Sequence, residues 1–542
     1  MSVNPRFSPR GWCMRFTSNP EGRSLRGRNR RPLLLAAISC AAALAAAGCD
    51  KTIGPFEVLP PLQPTSLEPT AGSWRMILLT GPSQIAVAAP AAVTSAAYVS
   101  ELDAIKASQA SLTSSQRNAI AYWSGGGVMR WNQILRELVA RYNLPPAPKD
   151  EGGYPVPDAE NPFGDPAFPF ANPVYAARAY SYVSAAQYDA LKSAWYWKFQ
   201  YNRLSPAKND NTVSALMPVS DLPSYPSEDA VISGVTVEML KTLFPAAVEE
   251  ITLKAAEQRN AALWSGKATA SDLAAGLALG KSVAAVFLAR AAGDGMRTAG
   301  GSAVLWKALA DSATARGELA WISRDIPARP PMLPLFGQVR AWSLTPAEIV
   351  ADRPPPPPST SSQQMKDEVA EVKRTVDHLT SAQLAIAQKW NDGAGTYSPP
   401  GHWNDVALEY VRDAQMSEVR AARVFALLNM SMHDAGVGCW EAKYHYFNPR
   451  PSQMDPSIKT EIGIPNFPSY ASGHSTFSGA AAAVLSYLFP GGASSFDAMR
   501  DEAGISRLYG GIHYRSDIEA GKLHGARIAA HTLAFAQSDG AP

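Results

Sequence analysis

Residues of the C-terminal third recur upstream at a constant offset of 245 positions. Ala-Ala-Arg423 returns as Ala-Ala-Arg178, and Asp434-Ala435 as Asp189-Ala190. Trp440 and Lys443 return as Trp195 and Lys198, Pro468-Ser469-Tyr470 with Ser472 as Pro223-Ser224-Tyr225 with Ser227, and Ser516-Asp517 as Ser271-Asp272. Further upstream and at another offset, Leu112 to Gln116 leading to Trp123 matches Leu379 to Gln383 leading to Trp390. A repeat of this length calls for two like units, each burying its own apolar stripes. Apolar positions fall at helical spacing, as at Val406, Tyr410 and Val411. The pattern predicts helices over 112–142, 173–200, 228–243 and 271–291, then 364–390, 404–436, 474–488 and 514–536. The expected fold class is all-α: two helical bundles related by internal duplication, the C-terminal one carrying the active site.

The expected order is an export leader (1–49), a tether and edge segment (50–110), a degenerate helical repeat (111–320), a Pro-rich linker (321–362) and a catalytic helical domain (363–537). The linker rests on Pro327, Pro330, Pro331, Pro334 and the run Pro354–Pro358, which cannot be helix and reads as a stiff exposed connector. The leader has a basic region (Arg23, Arg26, Arg28, Arg30, Arg31) and an apolar run from Leu33 to Ala47, too short to span a bilayer comfortably. It ends in Ala46-Ala47-Gly48-Cys49, like a lipoprotein cleavage box with Cys49 as the lipidated residue. The expected location is exported, periplasmic or cell-envelope, with a lipid anchor as the membrane partner. Cys439 is then the one cysteine of the mature body and reads as a small core residue.

Three C-terminal stretches carry the chemistry: Lys443-x6-Arg450-Pro451, Ser472-Gly473-His474, and Ser506-Arg507-x5-His513-x3-Asp517. Guanidinium forks and an ammonium suit anionic oxygens. Ser472-Gly473-His474 precedes an Ala-rich run, which predicts a helix whose first amides face an anion. Asp517, one turn beyond His513, can accept a ring N–H and fix its tautomer. The first copy lacks this set. Ser205, Glu228, Asp229, Ala262 and Ala268 stand for Arg450, Gly473, His474, Arg507 and His513, and the two acids would repel an anion.

In these motifs the chain resembles the type-2 phosphatidic-acid-phosphatase and vanadium-haloperoxidase superfamily, strongly over roughly residues 380–530. The resemblance implies an all-helical site for phosphate or vanadate. It implies that His513 attacks phosphorus or ligates vanadium, that His474 is the acid–base histidine, and that Lys443, Arg450, Arg507, Ser472 and the Gly473 amide clamp the oxygens. Trp440 and Phe467 match the aromatic halide side of chloroperoxidase-type relatives, and they suit bundle core equally well. Asp392 resembles an acid that salt-bridges a cradle arginine, or else belongs to a solvated turn.

Two enzymatic outcomes stand open. One is a haloperoxidase using vanadate, hydrogen peroxide and halide; the other is an acid phosphatase with no cofactor, acting on a phosphoester through a phosphohistidine at His513. A non-catalytic phosphate-binding envelope protein is a third. His474 and His513 together count against it, because pure binding needs neither nucleophile nor acid. Net charge of +2 and 18% charged residues argue against a nucleic-acid partner. There is no HExxH, no CxxC pair and no Walker loop. His433-Asp434 resembles a dyad, but helix neighbours point about 100° apart, so Asp434 reads as structural. His402 and His445 could reach the pocket rim, with no evident partner. Oligomeric state stays open.

Overall fold

Asn172 and Ser417 each cap a helix of 29 residues by accepting from the amide three positions on, and each helix ends in a left-handed residue, Asn202 or Phe447. The structure is a computed structural model describing residues 58–150, 152–154 and 169–542. The leader 1–49, with Cys49, and residues 50–57 lie outside the described residues. Among the described residues there is helix and no strand.

In the first half run α1 (Ala96–Gln109), α2 (Ser114–Trp123), α3 (Gly127–Tyr142), α4 (Pro173–Tyr201), α5 (Glu228–Leu243), α6 (Val248–Trp264) and α7 (Ala270–Ala292). Next come α8 (Ala303–Ala315) and α9 (Pro346–Ala351). The second half has α10 (Gln363–Asp377), α11 (Ser381–Lys389), α12 (Ser398–Asp413), α13 (Glu418–Tyr446), α14 (Gly473–Leu488), α15 (Ala493–Tyr509) and α16 (Arg515–Ala536). The starts of α4, α5, α6 and α7 recur in α13, α14, α15 and α16 at the sequence offset.

Close helix crossings recur too. A Cβ on Gly280 would lie 2.4 Å from Val231 O, and one on Gly525 would lie 2.0 Å from Thr476 O. Only glycine lets α7 reach α5, and α16 reach α14, at these points. The long helices α4 and α13 pack on each other. Where they meet, Asn429 Nδ2 donates to Ser184 Oγ at 3.3 Å. Ser184 and Asn429 lie at matching positions of the sequence offset. Asn132 and Asn404 extend this buried amide network.

Several boundaries differ from expectation. The predicted helix 112–142 is two helices broken at Gly125-Gly126, where Gly126 has φ 98°. Likewise 364–390 breaks between α10 and α11, and 404–436 resolves into α12 and α13. The Pro-rich stretch is no free connector. Trp321, Phe336, Val339 and Ile349 are buried, and the carbonyls of Pro354 and Pro355 accept from the hydroxyls of Tyr446 and Tyr470. Proline lacks an amide donor, but its carbonyl still accepts, so tyrosines can tie the run down. Residues 58–110 are likewise no tether. Leu59, Trp74 and Leu79 are buried, and Asp189 accepts from the amides of Ile77, Leu78 and Leu79. Its counterpart Asp434 accepts from the amides of Trp342 and Ser343. Each aspartate pins a non-helical segment through its amides, the structural role read for Asp434. Asp434 also meets His433 Nδ1 at 3.1 Å, contrary to the expectation that these neighbours point apart.

Candidate functional site

The three motifs converge at one end of the second half. Lys443 closes α13, Arg450 precedes a single helical turn (Pro451–Met454), Gly473 opens α14, Arg507 ends α15, and His513 precedes α16. Ser472 is the N-cap of α14: its side chain accepts from Ser475 N, and its own amide donates to Asp517 O at 3.0 Å. Gly521 makes this possible, because a Cβ there would lie 2.7 Å from Ser472 O. The Gly473 amide is one of the first-turn donors that a helix cannot satisfy internally. A Cβ on Gly473 would meet only Trp440 Cζ3, at 3.8 Å, so neighbouring atoms leave room beside the start of α14.

Around that space stand three buried cations. Arg450 donates through Nε and Nη2 to Phe467 O, and through Nη1 to Ile512 O at 2.9 Å. Its Nη1 also lies 3.0 Å from His513 Nε2. Arg507 donates to Trp390 O and to Ser506 Oγ. Lys443 Nζ donates to the carbonyls of Pro468 (2.9 Å), Ser469 (2.7 Å) and Ala471 (2.5 Å). The lysine expected to clamp oxygens thus spends its protons fastening the loop before α14, and offers the site its charge. Burial pushes both guanidinium groups down to about 10, and burial with the Arg450 charge depresses the Lys443 ammonium. Such crowding of desolvated positive charge is relieved by an anion.

His513 is 2% exposed and bridges this cluster to an acid. Its Nδ1 lies 2.8 Å from Asp517 Oδ2, which also accepts from Ser469 Oγ (2.5 Å) and Tyr514 N (3.2 Å). Arginine only donates, so Nε2 must accept, and the ring proton sits on Nδ1 facing Asp517. Burial, then the charges of Arg450, Lys443 and Arg507, hold His513 well below the usual histidine range. The ring is therefore neutral, with its Nε2 lone pair among the cations.

His474, the second residue of α14, is likewise held well below its usual range, by burial and then Arg507. Its Nε2 is buried and lies 3.7 Å from Asp392 Oδ2. Asp392 departs from expectation. Among the described residues it has no ion pair with an arginine; its carboxylate meets His402 Nδ1 at 3.1 and 3.3 Å. Arg507 has turned instead to Trp390 O. His402 is thus a site neighbour without a sequence motif, brought in by the start of α12, which the helical pattern placed later.

Trp440 and Phe467 form one wall, with ring centroids 4.8 Å apart. Phe467 also lies under Lys443 Nζ (5.0 Å) and Arg450 (5.1 Å), so its π face supports the cations as well as shielding them. Trp440 Nε1 donates to Met332 O, as Trp195 Nε1 donates to Leu67 O in the first half. Cys439 is buried with its Sγ near Ala471 O, a core residue as read.

The matching place in the first half is built differently. Glu228 pairs with Lys198 (2.7 Å) and Lys267 (2.9 Å), and Lys267 also pairs with Asp229 (2.7 Å). The lysine charges hold the Glu228 carboxyl well below the carboxylate range, against its burial. The two acids are therefore compensated by Lys267, whose role the sequence did not reveal. A cavity of about 400 Å³ opens beside Glu228, Lys267, Trp123 and Trp195, away from the histidines.

Residues 424–540 match the PAP2 superfamily, in agreement with the motif resemblance. No curated protein sequence matches the chain. Among solved structures, the first bacterial vanadium-dependent iodoperoxidase is similar with TM-score 0.51 and 24% identity, over 67% of this chain and 91% of that one. A holo-type bacterial vanadium-dependent chloroperoxidase aligns with TM-score 0.48 and 14% identity, over 70% of this chain and 96% of that one. The fold is the all-helical one of vanadium haloperoxidases.

Proposed function

We propose that the chain is a vanadate-dependent haloperoxidase-type enzyme that oxidises halide with hydrogen peroxide. One observation carries this reading: a neutral His513 whose Nε2 lone pair, set by Asp517 on the other nitrogen, is directed into a cluster of buried cations. These residues fit a vanadate group. Arg450, Arg507, the Ser472 hydroxyl and the Gly473 amide would donate to its oxygens, Lys443 would add charge, and His513 Nε2 would hold the metal. When bound, vanadate supplies Lewis-acid activation of peroxide. The chain's own share is to position and neutralise charge, and to move a proton at His474, whose Nε2 is buried beside Asp392. The Trp440–Phe467 wall offers a poorly hydrated halide an apolar contact and leaves little room for a polar leaving group.

A second reading has support in the PAP2 match, whose superfamily includes phosphatases. The same Nε2 could attack phosphorus, with His474 protonating the leaving oxygen. Purified protein should be assayed for halide oxidation with and without orthovanadate, and for hydrolysis of a phosphomonoester without it. Halide oxidation that needs vanadate supports the haloperoxidase. Phosphoester turnover without any halide oxidation replaces it with the phosphatase.

A further inference from the structure

Asp392 stands between two imidazoles. On one side is His474 Nε2 at 3.7 Å, buried and without a hydrogen-bond partner; on the other is His402 Nδ1 at 3.1 Å. The carboxylate side chain is 5% exposed, whereas that of His402 is 15% exposed. Asp392 sits in the left-handed region at φ 45°, a conformation that Asp adopts more readily than most residues with a Cβ. The His402 ring is stacked on Trp390, with centroids 4.1 Å apart and planes at 15°. Trp390 is itself tied by Nε1 to Glu502 at 2.7 Å, and its carbonyl accepts from Arg507. One residue thus braces both the His402 ring and a cradle guanidinium.

We propose that His402 is a positioning residue for His474, acting through Asp392 as the outer member of a proton relay. The inference rests on the acid–base role given to His474 above. A molecule filling the cradle would cover the open side of His474, leaving the Asp392 side as the way out for a proton. In the outward step the His474 Nε2–H bond breaks as an O–H bond forms on Asp392 Oδ2. The same carboxyl then protonates the bare Nδ1 of His402 in its Nε2–H tautomer, and His402 loses its Nε2 proton to water, which leaves Nδ1–H bonded to the Asp392 carboxylate. Reversal recharges His474, and no oxidant or reductant is required. The other charged groups near this line are Arg507 and Lys443 on the His474 side and Glu502 behind Trp390. None of them bonds His402 among the described residues.

The test uses the full chain with His402→Phe, which keeps a ring on Trp390, and His402→Gln, which keeps a polar group on Asp392. In weak buffer, whichever turnover the wild type displays should fall on the order of tenfold or more in His402→Phe, within the range of general acid–base effects. Added imidazole should restore it in a concentration-dependent way. An unchanged rate, or a loss that imidazole does not restore, overturns the relay. A readout free of turnover is the exchange of the His474 ring proton with water, followed by nitrogen-15 spectra of vanadate-free protein. Slower exchange in both variants is expected, and unchanged exchange again overturns the relay. If the wild type has neither halide nor phosphoester activity while the exchange still slows, the relay survives and the functional reading falls.

Discussion

Arg450 Nη1 lies 3.0 Å from His513 Nε2, and this contact decides which ring nitrogen carries the proton. A guanidinium cannot accept, so Nε2 is bare and Nδ1–H points to Asp517. Asp517→Asn should therefore do more than remove a charge. Its amide can donate to Nδ1 and stabilise the opposite tautomer, with Nε2 protonated and unable to bind a central atom. Turnover should fall on the order of 10³-fold or more. The rise in melting temperature on adding orthovanadate should disappear with it. A folded Asp517→Asn that keeps its vanadate-induced stabilisation would remove the tautomer argument.

Acid should destabilise this protein through its buried histidines. His433, His474, His513 and His524 are all held below the ordinary value by burial, and His524 is pushed down to about 3. The unfolded chain takes up protons from about pH 6.5 downward, while the folded one does not. Stability is therefore fully present above that value and lost as pH falls, by about 1.4 kcal/mol per pH unit for each histidine. Neither His524 ring nitrogen has a hydrogen-bond partner. His524→Leu should then leave neutral-pH stability unchanged or raised, and flatten the acid limb by about one proton. Denaturant titrations between pH 4 and 7 measure both; an unaltered slope would refute the claim.

The glycine crossings make two separable predictions. Gly280→Ala forces α7 off α5 in the first half, and overpacking of this kind costs about 1–3 kcal/mol. Gly521→Ala should cost a similar amount and also displace Ser472 O, hence the loop carrying Gly473 and His474. Turnover per folded molecule should drop in Gly521→Ala and hold in Gly280→Ala. Equal turnover in the two would mean that the loop does not depend on this crossing.

Membrane attachment through Cys49 is a proposal from the leader pattern alone. Labelled palmitate should appear on the full-length protein and vanish in Cys49→Ala, while protein starting after Cys49 should keep its activity. Label persisting in Cys49→Ala would end the lipoprotein reading.

Much of this arrangement was legible in the sequence because it is local. The spacing of Ser506-Arg507, His513 and Asp517 places the acid three residues inside α16, and the Nδ1–Asp517 bond follows from that turn. The offset itself meets helices of like length, 29 residues in α4 and α13 and 16 in α5 and α14. What escaped depends on chain reversals that no periodicity encodes. Lys443 turns to three carbonyls because the 468–471 loop folds over it. His402 reaches Asp392 because α12 begins at Ser398, inside a Ser-Pro-Pro-Gly stretch that looks like a loop breaker. Prolines in the first turn of a helix lose no hydrogen bond, so the apparent breaker is a start.

The first half offers the sharpest contrast, because its acids are paired by lysines of the same half. Glu228 holds Lys198 and Lys267 at the position that Gly473 takes in the second half. Glu228→Gln leaves Lys198, fully buried, with neutral acceptors and no opposite charge. Breaking a buried pair costs about 3–5 kcal/mol, and the lower end applies because Lys267 is 31% exposed and can turn to water. The site in the second half shares none of these groups, so the vanadate-induced rise in melting temperature should be the same size in Glu228→Gln as in the wild type. Ser205→Arg should likewise leave turnover untouched, because the adjacent Glu228 and Asp229 carboxylates disfavour an anion there. Thermal melts of both variants with and without orthovanadate decide the matter. A vanadate response that shrinks in Glu228→Gln, or turnover that changes in Ser205→Arg, would mean that the first half takes part in anion binding.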